Sequence, residues 1–392
     1  MSRPQWGLLA DDLTGACDAG VQFAQRGFCS VVSLGEPGAG ESCDLVARTS
    51  DSRNDPAKVA RSKVDAVCSL FLHEGRGLIY KKIDSTLRGN VGAEIEATMI
   101  KCSFSVAVIS PAFPAMGRTM EGGVLATAGA PGRAVHLPTL LCEQGLERVH
   151  HLGRSALRTR VGGLTERIQE LAATRPAVVV VDAVSQEDLA LIADAALKMG
   201  PAALPIGSAG LAAEVAGILA ARLGERPAKA PNDATRKETP VVLFIGSNDP
   251  VTRAQVEFLL SSGLVVYAEA RELTSDALCS ALRSERHLVL AVDLADQKSR
   301  LPELCQGLAE FRPSGVVFSG GDTAHLVCRE LGVTGIRLER ELSPGLPWGY
   351  LMGGLANGWP VVTKAGGFGA ENALTTAVDF LCPRNVRKET GC

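Results

Sequence analysis

The stretch LLADDLTGA, residues 8–16, decides the fold of this chain. Its apolar run, Leu8–Ala10, ends abruptly in the two carboxylates Asp11 and Asp12, and residues 17–26 then have apolar positions at helical spacing. The pattern predicts a strand, an acidic loop and a helix. Ligands bind at the carboxyl ends of strands in open α/β sheets, so the two acids are candidates for chemistry. The alternative is that Asp12 only caps the helix.

The same alternation of strand and helix continues along the chain. In the first half the pattern predicts strands at 29–34, 44–49, 78–83, 106–110, 177–181 and 203–206, and helices at 57–73, 91–101, 164–173, 186–199 and 209–223. Residues 134–163 have no clear period. In the second half the predicted strands are 241–245, 264–268, 287–292 and 315–318, and the predicted helices are 250–260, 275–283 and 301–311. Repeated βα units predict an α/β fold of two domains, each a mostly parallel sheet flanked by helices.

The domain boundary is predicted from length and composition. A chain of 392 residues exceeds one ordinary core. Residues 224–240 are rich in Pro and charged residues and lack an apolar period, which is typical of a linker. We therefore predict domains at 1–224 and 241–392, joined by a linker at 225–240.

Composition excludes several classes of function. A net charge of −3 and an aromatic content of 4% give no reason to expect nucleic acid or an anionic membrane as partner. The eleven cysteines form no Cys-x-x-Cys pair, which argues against structural zinc and disulfides. With no signal-peptide pattern and no apolar run of about 20 residues, we expect a cytoplasmic protein. The histidines His150 and His151 have no carboxylate nearby in sequence, and we expect them at the surface.

Three glycine-bearing turns follow strands in the second half: residues 246–252, 319–324 and 364–369. Glycine lets backbone N–H groups approach a phosphate closely, and a following helix adds its positive end. No Walker A loop and no Gly-x-Gly-x-x-Gly after the first strand occur, which disfavours P-loop enzymes and ordinary dehydrogenases. The turns are therefore candidates to bind nucleotide phosphates through backbone N–H groups, without either of these two motifs.

Basic, acidic and hydroxyl groups converge in one turn of the first half: Lys82, Asp84, Ser85 and Arg88. A guanidinium binds a carboxylate in bidentate fashion, and a nearby Asp can orient an attacking hydroxyl. The alternative is that Asp84 and Arg88 only form a salt bridge at a helix end. An acceptor site in one domain and phosphate-binding turns in the other are what a kinase of a small anionic molecule needs.

These motifs together resemble the four-carbon acid sugar kinase family. The resemblance is carried by residues 10–16, 82–90, 111–119, 320–323 and 364–369, in the same order and nearly end to end. It implies an N-terminal sugar-acid domain and a C-terminal nucleotide domain that phosphorylate D-threonate, D-erythronate or 3-oxo-tetronates with MgATP. The chain departs from the family at Asp249, where relatives tend to have Ser before the Pro, and at Cys17, where Asn or Thr is expected.

The resemblance also assigns residues. It places Asp11, Asp12, Arg53, Lys82, Asp84 and Arg88 around the sugar acid, and we add Ser85. It places Ser247, Gly320, Gly321, Asp322, Thr323, Gly366 and Gly369 around ATP. No separate metal site is predicted. Mg²⁺ is expected with ATP, and the pair Asp11 and Asp12 is a candidate to serve Mg²⁺ as well as the attacking hydroxyl.

The predicted mechanism is in-line transfer of the γ-phosphoryl group to a terminal hydroxyl, with closure of the domains excluding water. Asp12 is the first choice for the base, with Asp11 and Asp84 as competitors, while Lys82 and Arg88 hold the carboxylate or the phosphate. A homodimer is one expected arrangement. A phosphatase with an Asp nucleophile is disfavoured because Leu13 stands where its second acid belongs. A two-domain solute-binding protein is a further alternative, which would leave the glycine turns unexplained.

Overall fold

The computed structural model describes residues 5–35, 42–127, 134–158, 163–224, 239–284, 286–295 and 300–383. The chain divides into two compact units, Met1–Lys229 and Ala230–Cys392. The predicted linker at 225–240 lies almost wholly outside the described residues, so it stays a prediction. We describe each unit by itself.

Strands and helices alternate through the described part of the first unit. Its strands are β1 (Trp6–Ala10), β2 (Ser30–Ser33), β3 (Leu45–Thr49), β4 (Gly77–Lys82), β5 (Val106–Ser110), β6 (Arg118–Glu121), β7 (Val124–Thr127), β8 (Val135–His136), β9 (Val149–Leu152), β10 (Ala177–Val181) and β11 (Ala203–Gly207). Its helices are α1 (Leu13–Ala24), α2 (Ala57–His73), α3 (Val91–Lys101), α4 (Leu137–Glu143), α5 (Leu164–Ala172), α6 (Gln186–Lys198) and α7 (Ala209–Leu223).

The main sheet of the first unit has the order β2-β3-β1-β4-β11-β5-β10-β9, and every neighbouring pair is parallel. Helices α5, α6, α7 and α1 pack in a row, and α2, α3 and α4 form a second row. Right-handed crossovers put these rows on opposite faces of the sheet. Strand β1 is therefore followed by a helix on one face of the sheet, whereas its neighbours β3 and β4 are followed by helices on the other face. This is a topological switch point, where a crevice opens at the carboxyl ends of the strands.

Helix α1 begins at Leu13, four residues before the predicted start at Cys17. Asp12 has extended backbone angles, with φ −144° and ψ 166°, and its side chain accepts from the Gly15 amide, which caps the helix. The prediction missed this first turn because Thr14 and Gly15 break the apolar period. Every residue of α1 is buried, so the helix is not a surface element with one polar face.

Residues 134–163, where the sequence has no clear period, contain short elements. The range holds β8, α4 and β9, and β8 joins the preceding β6 and β7 in a small antiparallel sheet. Elements of two to seven residues are too short to show a period. The prediction that the histidines lie at the surface is confirmed for His151, which is exposed. Its Nε2 nevertheless has a partner, because it lies 2.9 Å from Asp182 Oδ1. That carboxylate is distant in sequence and reaches His151 because β9 and β10 are neighbours.

The second unit repeats the alternation and then departs from it. Its described strands are β12 (Val242–Ile245), β13 (Val265–Glu269), β14 (His287–Ala291), β15 (Val316–Ser319), β16 (Gly335–Glu341), β17 (Pro347–Met352) and β18 (Pro360–Lys364). Its described helices are α8 (Pro250–Ser261), α9 (Ser275–Arg283), α10 (Leu301–Phe311), α11 (Gly321–Glu330) and α12 (Ala373–Leu381). After residue 318 the sequence analysis expected a strand before the glycine turn at 364–369 but gave no bounds, whereas the structure has α11, β16, β17, β18 and α12 there.

The strand order of the second unit is β13-β14-β12-β15-β18-β17-β16. The five strands from β13 to β18 are parallel, and β17 and β16 extend the sheet as antiparallel strands. Helix α8 packs with α12, whereas α9, α10 and α11 pack in a row of their own. Strand β12 is thus a second switch point, placed as β1 is in the first unit. The predicted fold class, two mostly parallel sheets flanked by helices, is confirmed.

Among the described residues, no helix is both long enough and apolar enough to cross a membrane. None of the ten described cysteines forms a disulfide.

Candidate active site

The acidic loop after β1 lies at the first switch point. Asp12 Oδ1 accepts from the Gly15 amide at 2.8 Å, and its Oδ2 accepts from the Thr14 hydroxyl at 2.9 Å. The capping role raised as an alternative is therefore real. A side chain on Gly15 would place its Cβ 2.5 Å from Asp12 Oδ1 and 3.3 Å from Lys82 Nζ, so only glycine fits this turn.

Arg53, in the loop after β3, joins both carboxylates. Its Nε and one terminal nitrogen donate to the two Asp11 oxygens at 2.7 and 2.9 Å. Its other terminal nitrogen donates to Asp12 Oδ2 at 2.7 Å. The terminal nitrogen that binds Asp11 lies 3.8 Å from Asp84 Oδ1. Only 13% of the Arg53 side chain is exposed. Asp12 therefore has two functions, because the carboxylate that caps α1 also binds a buried guanidinium.

Sharing one guanidinium drives the pKa values of the two acids apart. Burial raises the pKa of Asp11 above its ordinary value, and the nearby Asp12 charge adds to this, while Arg53 opposes it. Burial acts in the same direction on Asp12, but Arg53 and Lys82 outweigh it, so the pKa of Asp12 falls below its ordinary value. Carboxylates with separated pKa values in one site are suited to different roles. Asp12 is the acid held ionised.

The loop after β4 brings a third carboxylate. Asp84 accepts from the Thr86 hydroxyl, from the Arg88 amide at 3.1 Å, and from two nitrogens of the Arg88 guanidinium at 2.8 and 2.9 Å. Burial would raise the pKa of Asp84, but Arg88 and Arg53 hold it well below its usual range. The salt bridge raised as an alternative for Asp84 and Arg88 is formed. The Arg88 side chain is nevertheless 62% exposed, so it can reach a ligand.

Lys82 and its neighbour Lys81 point to opposite faces of β4. Lys82 Nζ donates to the Ile83 carbonyl at 2.9 Å, and its charge contributes to the low pKa of Asp12. Lys81 is fully buried and donates to Glu94 at 2.8 Å, and Glu94 also accepts from Ser52 at 2.7 Å. The Lys81 network fixes the loop that carries Arg53, whereas Lys82 belongs to the acidic site.

Sequence reasoning assigned no role to Arg118. This buried side chain on β6 donates to Ser85 Oγ at 2.6 Å and so adds a cation at the end of β4. The loop that joins β5 to β6 is longer than a simple connector. This length was the sequence feature that could have pointed to Arg118. The loop position alone could not show that the side chain turns towards Ser85.

In the second unit, the three glycine turns meet at the β12 switch point. A Cβ on Gly246 would lie 2.2 Å from Thr323 Oγ1, and a Cβ on Gly366 would lie 2.2 Å from Ser247 Oγ. Gly320 has a left-handed φ of +106° and precedes α11 directly. The structure therefore brings the turns after β12, β15 and β18 together. Of the other predicted residues, Gly321 and Asp322 open α11, and Gly369 closes the turn after β18.

A cavity of about 690 Å³ lies beside the turn after β12, on the side of β14 and β13. The ends of β12, β13 and β14 line it, including Ser247, Tyr267, Glu269, Arg271 and Asp293. Arg271 donates to Glu269 at 2.6 Å on its rim. The sequence did not single out the residues after β13 and β14, because they follow ordinary strand ends without glycine.

Comparison with known proteins identifies this arrangement. Residues 6–215 match the family described as "Sugar-binding N-terminal domain", and residues 264–374 match the one described as "Nucleotide-binding C-terminal domain". The chain belongs to the four-carbon acid sugar kinase family, a class of sugar-acid kinases.

Individual relatives agree with this assignment. A Bordetella bronchiseptica protein named D-threonate kinase is 32% identical over 99% of this chain and 100% of its own. A Heliobacterium modesticaldum protein named D-erythronate kinase is 28% identical, with 98% of each chain covered. A crystal structure from Salmonella typhimurium LT2 superposes with a TM-score of 0.74 at 24% identity, covering 95% of this chain and 98% of that one, which shows the same fold.

Proposed function

We propose that this chain transfers the γ-phosphoryl group of ATP to the terminal hydroxyl of a four-carbon sugar acid of the D-threonate or D-erythronate type, giving the 4-phosphate. The observation that carries the proposal is the buried cluster of Asp11, Asp12 and Arg53 at the first switch point, with two more cations beside it on β4 and its loop. Relatives bearing kinase names support the reaction class.

Each group of the acidic site has a part in this reaction. Asp12, ionised and fixed by Arg53 and the α1 cap, accepts the hydrogen bond of the attacking hydroxyl and orients it. A loose transition state for phosphoryl transfer needs little proton removal at the start, so a carboxylate of low pKa suffices. The exposed guanidinium of Arg88 binds the carboxylate of the sugar acid, and Lys82 and Ser85 complete that site.

The nucleotide belongs to the second unit in this proposal. The turns that carry Ser247, Gly320, Gly321, Thr323, Gly366 and Gly369 bind the phosphates, and the adjoining cavity has the volume for the nucleoside. Mg²⁺ neutralises charge on the phosphates when it is bound. Phosphate oxygens and water would hold most of its coordination positions, with Asp249 and Asp322 as the nearby carboxylates.

An ADP-release assay coupled to NADH oxidation tests the proposal across D-threonate, L-threonate, D-erythronate and 3-oxo-tetronates. We expect turnover with at least one four-carbon acid, and the absence of turnover with all of them, using folded protein and Mg²⁺, would overturn the assignment. A 3-oxo-tetronate as preferred substrate is the alternative, since other relatives bear that name. A solute-binding protein would show thermal stabilisation by the acid and none by ATP.

The proposal includes a cytoplasmic location and a homodimer. Light scattering coupled to size exclusion measures the mass against the 41.0 kDa of one chain.

A further inference from the structure

The loop after β18, residues 365–370, has its carbonyl groups turned inward. The Lys364 side chain is fully buried beneath this loop, and its Nζ donates to the carbonyls of Ala365, Gly366 and Phe368 at 3.0, 2.8 and 3.2 Å. The same nitrogen lies 3.1 Å from Thr252 Oγ1, whose hydroxyl donates to the Gly366 carbonyl at 2.8 Å. One buried amine therefore organises most of the turn.

A second side chain holds the far end of the loop. Gln255, fully buried on α8, directs its Nε2 to the carbonyls of Phe368, Gly369 and Ala370 at 2.9, 3.1 and 2.9 Å. Lys364 and Gln255 together bind the carbonyls on both sides of the turn. Neither side chain is exposed, so neither can itself be the surface that meets a ligand.

Inward carbonyls have a consequence for the amides. In a trans peptide the C=O of one residue and the N–H of the next point in opposite directions. The carbonyls of Ala365, Gly366 and Phe368 point inward, so the N–H groups of Gly366, Gly367 and Gly369 point outward. Within the described residues, none of these three amides donates a hydrogen bond. Outward amides in one turn form a concave anion-binding surface.

We propose that Lys364 and Gln255 are positioning residues, which turn the loop after β18 so that the amides of Gly366, Gly367 and Gly369 bind a phosphate group of the nucleotide. Lys364 acts from beneath the loop and does not contact the phosphate. This inference rests on the proposed function, because it takes a nucleotide as the ligand of the second unit.

The ionisation of Lys364 gives the proposal a second readout. Burial lowers the pKa of Lys364 to about 7, and the Asp249 carboxylate at the start of α8 opposes that shift. The other side chains that face the amine from α8, Thr252 and Gln255, are uncharged. Losing a proton leaves the amine with two donor hydrogens for the loop carbonyls. The affinity for phosphate-bearing ligands should therefore fall as the pH rises through about 7.

Calorimetric titration of ADP and of adenosine separates the phosphate contribution from that of the nucleoside. At pH 6.5, Lys364→Met should bind ADP about tenfold to a hundredfold more weakly than the wild type, with adenosine affinity unchanged. Gln255→Met should weaken ADP binding by about threefold to tenfold. Arg329→Met is the control, because Arg329 lies at the other end of α11 with a side chain that is 67% exposed.

A pH series from 6 to 8.5 completes the test. The wild-type ratio of ADP to adenosine affinity should fall by more than that of Lys364→Met, whose remaining slope reports the ionisation of ADP itself. Unchanged ratios in both Lys364→Met and Gln255→Met overturn the inference while leaving the kinase proposal intact. A wild type that binds neither ADP nor ATP overturns the proposed function instead. If Lys364→Met does not fold, Gln255→Met and the wild-type pH series decide the outcome.

Discussion

At the residue scale, Asp12 has both a structural and a chemical role, and the two can be separated. Its Oδ1 caps α1 through the Gly15 amide, while its Oδ2 binds Arg53. Asparagine caps a helix as well as aspartate does but carries no charge. The amide variant therefore removes the chemical role and keeps the structural one.

We expect Asp12→Asn to lower kcat by about a hundredfold to ten-thousandfold and to lower the melting temperature less than Asp12→Ala does, because the cap persists although the charge facing Arg53 is lost. Asp12→Ala should lose both activity and stability, the latter by about 1 kcal/mol for the cap alone. Steady-state kinetics and thermal unfolding measure these effects. Nearly unchanged kcat in Asp12→Asn would exclude Asp12 as the orienting carboxylate and direct attention to Asp11 or Asp84.

The two arginines of the acidic site are expected to behave differently. Arg88→Met should raise the KM for the sugar acid by about tenfold or more, with a smaller loss of stability than Arg53→Met, because only the buried Asp84 carboxylate loses a partner. Arg53→Met should destabilise the protein by about 3–5 kcal/mol, since it strands two buried carboxylates. Kinetics and urea unfolding compare the variants. A KM that is insensitive to Arg88→Met would remove this residue from the acceptor site.

At the element scale, the carboxyl ends of β1 and β4 are close enough to constrain the first turn of α1. The turn passes over Lys82, and Gly15 leaves room for both Asp12 and the lysine. A helix start that is packed in this way is fixed by its neighbours as much as by its own capping residue.

Gly15→Ala should lower kcat by about tenfold or more, because its Cβ would lie 2.5 Å from Asp12 Oδ1 and displace that carboxylate. Gly217→Ala, in the middle of α7, is the matched control, since its Cβ would meet no atom closer than 3.8 Å. Alanine in place of a helical glycine should raise stability there by up to about 1 kcal/mol. Equal activities of the two variants would contradict the close fit at Gly15.

At the scale of the whole molecule, buried ionisable groups in the two units should each make stability rise with pH, but over different pH ranges. The lowered pKa values of Asp12 and Asp84 contribute stability above their unfolded value of 3.8, which is lost as the pH falls through the folded values. Lys364 affects the free energy of unfolding over a different pH range. Its folded pKa is about 7 and its unfolded value is 10.5, so the folded state holds fewer protons between these limits.

The free energy of unfolding should therefore gain a rising component between about pH 7 and pH 10.5 from Lys364. Lys364→Met should lack this component, so the difference in melting temperature between the two proteins should change steadily from pH 7 to pH 9.5. Differential scanning calorimetry of both proteins measures it, and the pairing removes the contributions of all other groups. A constant difference across this range would show that the buried amine has an ordinary pKa.

Much of the fold could be predicted because it depends on local pattern. Helices α2, α3, α7, α9 and α10 have the bounds that apolar spacing and terminating residues indicate. Helix α11 and strands β16 and β17 were missed because the two strands form an antiparallel extension, and α11 begins at a glycine turn without a side-chain cap. Short or irregular elements owe their structure to neighbours distant in sequence.

By itself, the sequence determined that carboxylates, cations and glycine turns stand at strand ends, and through them the kinase family. Residue type and spacing along the chain are sufficient for that. Only the tertiary structure decided that Arg53 joins Asp11 to Asp12, that Arg118 reaches Ser85, and that Lys364 lies beneath its loop. Strand order and the burial of each side chain fix these contacts, and both arise from packing between distant segments.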